Sequence, residues 1–331
     1  VIARLLRAVV IVAVIATGCA THSSSPLPLR AAGDIALPGD NSRFDYASLD
    51  TERGLLFVAH LGASEVIEID VRANRVVRTV PNISHVHGVL VVNALGRVFA
   101  TATGMNQVVA VDENTGAEFR RAPTGEYPDG LAYDLRRNAI WTTNETAGTE
   151  TVVDAATLQP RGTVDLGAEV GNVGYDPAID RMLIAVQGRN ELAVVDPGAK
   201  AVERRVALPG CDHPHGVSVD SSDRLAFVAC DHNATLVTVD ENDWHVMGAN
   251  PVGEDPDVLA YDAAAHRLYV AAESGTVTVL ELRDRALTLL GSGHLADGAH
   301  VVAVDPTTHR SFYPVPNGPD GHPVLLVRTA T

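Results

Sequence analysis

Short apolar runs separated by turn residues fill most of the chain, and none keeps a helical period. The clearest unit begins at Phe44. Phe44 to Asp50 alternates and ends in Asp, and Gly54 to His60 is a nearly continuous apolar run. Glu65 to Asp70 follows, and Arg75 to Val80 closes at Pro81-Asn82. This pattern predicts four strands in succession, joined by turns. It recurs: third strands end at Asp70, Asp112, Asp154, Asp196, Asp240 and Glu281, and first strands at Asp50, Asp134, Asp176, Asp220, Asp262 and Asp305. An Asp side chain accepts hydrogen bonds from backbone N–H groups just downstream, so these acids are read as turn caps rather than catalysts.

A short phrase opens each unit. Its fullest form is Gly210-Cys211-Asp212-His213-Pro214-His215-Gly216, and variants include Ser84-His85-Val86-His87-Gly88, Tyr127-Pro128-Asp129-Gly130 and Gly298-Ala299-His300. The equivalent positions are Asp45, His87, Asp129, Asn172, His215, Asp257 and His300, spaced 42, 42, 43, 43, 42 and 43 residues apart. A fixed period of this size predicts a stacked repeat architecture. The last repeat has only three strands, His300 to Asp305, Arg310 to Val315 and Val324 to Ala330. Arg30 to Gly39 is a strand without a repeat of its own, and its Ala36-Leu37-Pro38-Gly39 matches Ala207-Leu208-Pro209-Gly210 before the fifth phrase. Letting it complete the last sheet closes the ring and removes a free edge. The expected fold is all-β: a seven-bladed β-propeller of four-stranded blades over residues 30–331, its last blade closed by the N-terminal strand.

The unit Leu56-Phe57-Val58-Ala59, Glu65-Val66-Ile67-Glu68-Ile69-Asp70, Arg75-Val76-Val77-Arg78-Thr79-Val80 resembles the YncE-like, or YVTN-repeat, propellers, over nearly the whole chain after residue 30. Phe57-Val58-Ala59-His60, Ile140-Trp141-Thr142-Thr143-Asn144, Phe227-Val228-Ala229-Cys230 and Tyr269-Val270-Ala271-Ala272 stand where that family carries Tyr-Val-Thr-Asn. The resemblance implies an exported propeller and leaves the activity open.

Charge and the N-terminus refine the picture. The formal net charge is −16, which disfavours nucleic acid or an anionic membrane surface as partner, since both select basic surfaces. Arg4 and Arg7 precede an apolar run, Ala8 to Ala16, too short to span a bilayer, and small residues lead to Cys19. Residues 1–18 are read as a secretory signal that resembles a lipoprotein signal, with Cys19 as the lipidation site. Residues 19–29, with Ser23-Ser24-Ser25-Pro26, are read as a tether. The expected product is an exported monomer, held at the cell envelope only by a lipid anchor, with a small ligand or an envelope protein as partner.

In a propeller the first strands line the central channel, so the seven equivalent residues face one another around one mouth. His87, His215 and His300 fall in the second, fifth and seventh units, as even a spread as three of seven allows. They are the candidate metal ligands, and three imidazoles suit Zn, Cu, Fe or Ni. Asp45, Asp129, Asn172 and Asp257 complete the ring and would act through water or as supports, and His85 and His213, two residues before their ring partners, would form a further layer. Loops on the same face place His60, Glu145, Arg189, Asp231, His232 and Glu273 as a rim. Cys211 and Cys230 belong to one hairpin. Either they form a disulfide, or they join His213 and His232 as a thiolate–imidazole site, or they are separate thiols.

No nucleophile elbow, phosphate-binding loop, dinucleotide fingerprint or zinc-protease motif is present. The expected function is therefore binding of a metal ion or small ligand at the channel mouth. The alternatives are a metal-assisted hydrolase or lyase, lactonase-like, with Asp129 or Asp257 as base, and a protein-interaction scaffold without chemistry.

Overall fold

The computed structural model describes residues 26–331. The segment read as a signal, Cys19 and the part of the expected tether up to residue 25 lie outside the described residues. Seven antiparallel sheets follow one another in chain order. Blade 1 spans Ala47–Val80, blade 2 Val86–Pro123, blade 3 Pro128–Asp165 and blade 4 Val173–Ala207. Blade 5 spans Pro214–Pro251, blade 6 Pro256–His294, and blade 7 Ala303–Ala330. The first strand of each blade contacts the first strand of the next, blade 7 meets blade 1, and the ring is closed. No α-helix occurs among the described residues.

The closing strand is broken in two. Leu29–Ala31 pairs with Arg328–Ala330, and Ile35–Ala36 pairs with Val324–Leu325, all antiparallel. Gly33, at φ +102°, makes the bend between them, a conformation that a side chain disfavours. The strand starts at Leu29, and Leu27 packs beside it against the core between blades 6 and 7.

Seven apolar clusters hold the ring, one at each interface between blades. A blade is covered on both faces by its neighbours, so its second strand is buried along its whole length. Leu55–His60, Ala139–Asn144 and Leu225–Cys230 are buried at every position. That is why these strands read as continuous apolar runs, while outer strands such as Glu118–Pro123 are mostly exposed. The strand-end acids cap turns as expected: Asp50 Oδ1 accepts from the N–H groups of Glu52 (2.9 Å) and Arg53 (3.2 Å), and Asp70 Oδ1 from Arg72 (3.1 Å) and Ala73 (2.8 Å).

Candidate functional site at the channel mouth

Two local features build the mouth. The first is glycine after the ring residue. A Cβ on Gly88 would lie 2.2 Å from the Asp129 carbonyl oxygen, and one on Gly216 2.3 Å from that of Asp257. Glycine here lets the innermost strands of neighbouring blades close on each other. The second is a left-handed residue two places before the ring residue: His85 (φ 45°), Tyr127 (60°), His213 (58°) and Asp255 (52°). Such backbone is uncommon for residues with side chains, and it breaks the approach to these four first strands at the same point.

The mouth is a cavity of about 220 Å³ bordered by Arg43, Asp45, Tyr46, His87, Tyr127, Asp129, Glu145, His215, Asp231, Asp257 and Glu273, among others. Tyr46 forms its floor. Its hydroxyl crosses the axis from blade 1 to accept from Asn172 Nδ2 in blade 4, and lies 3.3 Å from His215 Nε2 in blade 5. Below it the inner channel continues as a second cavity of about 340 Å³.

Charge is concentrated here. Arg43 reaches Glu273 Oε1 at 2.6 Å, Asp45 Oδ2 at 3.6 Å and Asp257 Oδ2 at 3.8 Å. Burial works against its charge, but these acids outweigh burial and hold it firmly protonated. His215 Nε2 lies 3.3 Å from Asp257 Oδ1. Burial alone would lower its pKa, yet Asp257, Asp129 and Glu145 push it up to about 10. A charged His215 donates from both nitrogens, and Nδ1 faces the Gln187 amide at 2.6 Å. Gln187 Oε1 is buried without a partner, so turning that amide over places the oxygen on Nδ1 and satisfies both groups.

The acids divide. Burial would raise Asp257, but its hydrogen bond to His215 prevails and holds it below the usual range. Burial and the Asp257 charge push Asp45 up. Burial and Asp45 bring Asp129 to about 7, and burial and Asp129 bring Glu145 to about 7. Carboxyl groups are thus poised near neutrality beside others that are fully ionised.

The three predicted histidines do not converge on one point. His87 and His215 line the cavity, and His300 is buried. Among the described residues, His300 groups instead with Asp45 and Asp257, with one donor atom from each residue within 4.8 Å of the others. The reason lies in the partners. His87 donates from Nδ1 to the His85 carbonyl at 2.9 Å and accepts at Nε2 from the Tyr127 hydroxyl at 3.1 Å. His215 is taken up by Asp257, Tyr46 and Gln187. His300 donates from Nε2 to the Phe44 carbonyl at 3.1 Å, which leaves Nδ1 buried without a hydrogen-bond partner, 3.5 Å from Glu273 Oε2.

The rim also sorts itself. Glu145, Asp231 and Glu273 border the cavity. His60 does not: it is buried against Phe44, ring centroids 4.3 Å apart, and hydrogen-bonded to Ser42. Arg189 turns away to the Gly167 carbonyl. The arginine of the mouth is Arg43 instead. His213 lies outside the cavity lining, stacked on the exposed His232, and His85 borders a neighbouring groove with Leu61 and Thr103. Cys211 and Cys230 are joined as a disulfide, so they offer no thiolate ligands.

Arg43, Tyr46 and Tyr127 were absent from the sequence-derived site. A signal existed: Arg43 and Tyr127 stand two places before a ring residue, as His85 and His213 do. Tyr46 stands one place after, where the other units carry Gly or Val.

No family model matches the chain, and no curated protein does. Solved structures match over almost its full length. The Kuenenia stuttgartiensis hydrazine synthase structure aligns with a TM-score of 0.76 at 12% identity, covering 95% of this chain and 98% of that one. The WD40 repeats of RRP9 align with a TM-score of 0.78 at 10% identity, covering 92% and 100%. Virginiamycin B lyase from Staphylococcus aureus aligns with a TM-score of 0.75 at 10% identity, covering 92% and 100%. At these identities the likeness is one of fold.

Proposed function

We propose that the chain is an exported, lipid-anchored propeller of the YncE-like kind that binds a metal ion or small ligand at the mouth of its channel. The observation that carries this reading is His300. Its Nε2–H is fixed on a backbone carbonyl, as is usual for a metal-ligating imidazole, and its bare Nδ1 is buried without a partner. Asp45 and Asp257 each place an oxygen within 4.8 Å of a His300 ring nitrogen. One imidazole and two carboxylates form a mixed donor set that suits Zn or Fe, with Cu and Ni also accommodated. Arg43 spans the same acids, so an incoming cation displaces the guanidinium toward solvent, where it is already 43% exposed. The Cys211–Cys230 disulfide supports an oxidising compartment.

The test is metal content of untagged protein, as isolated and after incubation with Zn, Fe, Cu or Ni. About one equivalent is expected at the mouth, lost in His300→Ala and weakened in Asp257→Asn. If His300→Ala binds as much metal as the unchanged protein at every ion, this site is not the ligand set.

The enzymatic alternative, metal-assisted hydrolysis or elimination, is favoured by one feature: Asp129 and Glu145 sit at about 7 beside the same cavity, suited to moving a proton. Two neighbours carry lyase names, which adds only the capacity of the fold. Turnover of a lactone or ester panel that disappears in both Asp129→Asn and His300→Ala would favour catalysis. Tight metal without turnover favours binding.

A further inference from the structure

Blade 5 carries the same tripeptide twice, Cys211-Asp212-His213 and Cys230-Asp231-His232. The first precedes its innermost strand, and the second runs from the end of the next strand into the loop. The antiparallel register sets Pro214 opposite Cys230, and the disulfide ties the two tripeptides together. Their histidines are brought face to face, with ring centroids 4.0 Å apart and planes 7° from parallel. Asp231 accepts from His213 Nδ1 through both oxygens at 2.9 Å, and Glu169 Oε2 of blade 4 lies 4.0 Å from His213 Nε2.

We propose that His213, Asp231 and His232 form a second transition-metal site on the rim, held in register by the disulfide. One nitrogen from each ring and one Asp231 oxygen lie within 4.8 Å of one another. Ligands around a tetrahedral zinc ion stand roughly 3.3–3.6 Å apart, given bond lengths of about 2.0–2.2 Å. Stacked rings do not aim their in-plane lone pairs at one point, so binding requires the exposed His232 ring to unstack from His213 and rotate about its side-chain torsions toward Asp231. Two imidazoles and a carboxylate with the remaining positions open to solvent suit Zn, Cu or Ni, and the ion would keep an exchangeable water or ligand. Glu169 is within reach as a supporting acid. Asp231 also borders the mouth cavity, so an ion here sits at its edge. The disulfide lowers the cost of assembly: the two segments are already joined before the metal arrives.

This site is independent of the one at His300, and the two separate experimentally. Untagged full-length chain is titrated with Zn(II) by calorimetry and with Cu(II) by electron paramagnetic resonance. In the His300→Ala background, one equivalent of Zn is expected to remain, and the Cu(II) spectrum to show coupling to two nitrogens. Adding His232→Ala or His213→Ala weakens that equivalent by about tenfold or more, with circular dichroism unchanged. The Cys211→Ser/Cys230→Ser double variant is expected to retain the ligands and bind about tenfold more weakly. If His300→Ala abolishes all binding, the rim site is overturned while the mouth reading stands. If His213→Ala and His232→Ala leave the His300→Ala isotherm unchanged, the rim ligand set is wrong. Equal affinity in the double cysteine variant removes the disulfide from the account.

Discussion

The pairing of His215 with Asp257 sets the electrostatics of the mouth. Each group shifts the other toward its charged form: Asp257 below the usual carboxylate range, His215 up to about 10. The imidazolium therefore persists through neutrality, where an ordinary histidine is mostly neutral. In an NMR titration, the His215 ring signals should stay flat from pH 5 to 8.5. In Asp257→Asn they should move within that range, because burial then acts with less opposition. A wild-type His215 that titrates near 6.5 would contradict the pairing. The sequence placed both residues on one ring through the 42–43-residue period, but it did not join them. Period fixes height along the axis and angle around it. It says nothing of which rotamers meet across a wall, and Arg43 and Tyr46 went unseen for that reason. Their unit departs most from the shared phrase, and its distinctive residues are the ones that fill the mouth and floor it.

At the scale of the strand, the repeated His-Gly and Asp-Gly dipeptides have a packing role. The missing Cβ at Gly88 and Gly216 lets the next blade's carbonyl approach within a distance no side chain tolerates. Thr101 completes the joint between blades 2 and 3: its hydroxyl accepts from the Gly88 N–H at 2.7 Å and donates to the Asp129 carbonyl at 2.9 Å. Gly88→Ala or Gly216→Ala should therefore wedge two first strands apart. A loss of about 1–3 kcal/mol is expected in denaturant unfolding, typical of overpacking. Alanine at Gly96, which has open space around it but a φ of +58°, separates backbone strain from crowding. Gly88→Ala should cost more, and equal losses would mean that close approach is not what the glycine serves. Strands themselves were readable because burial on both faces leaves a continuous apolar run and exposure leaves a polar one. The break in the closing strand did leave a signal: the Gly33-Asp34 pair inside an otherwise strand-like segment marks a bend, which reading Arg30 to Gly39 as one strand passes over.

Closure makes the whole ring depend on a strand some three hundred residues from its partner, as Leu29 pairs with Ala330. Removing residues up to Leu37 should uncover the edge of Val324–Ala330 and convert cooperative thermal unfolding into aggregation, measured by light scattering during the melt. A truncated chain that melts reversibly at the original temperature would show that the ring holds without it. Elsewhere buried carboxyl groups meet across the joints between blades. Glu113 of blade 2 lies against Asp50 of blade 1, and Glu241 of blade 5 against Asp176 of blade 4. Buried oxygens of Asp50, Asp176 and Glu241 lack a hydrogen-bond partner, and Glu113 Oε1 meets only Arg53 at 2.9 Å, so a proton held by each glutamate would give its pair a donor. Burial first, then the neighbouring Asp, pushes Glu113 up to about 7 and Glu241 up to about 9. A raised carboxyl pKa favours the folded state fully below the ordinary Glu value near 4.5, and that contribution is lost as pH rises through 7 and then 9. Asp240 has the opposite sign. The hydrogen bond from Arg285 holds it at about 2, and its contribution is lost only as pH falls toward that value. Stability should thus peak in mild acid, and Tm should fall from pH 5 to pH 9. Rising negative charge on a chain already at −16 pulls the same way, so the single curve does not separate the causes. The Glu113→Gln/Glu241→Gln variant does, because glutamine keeps a donor at each joint and cannot lose it. Its Tm should fall less steeply across that range, with the gap between the two proteins opening above pH 7. Parallel curves would assign the slope to overall charge and leave the shared protons without a part in holding the blades.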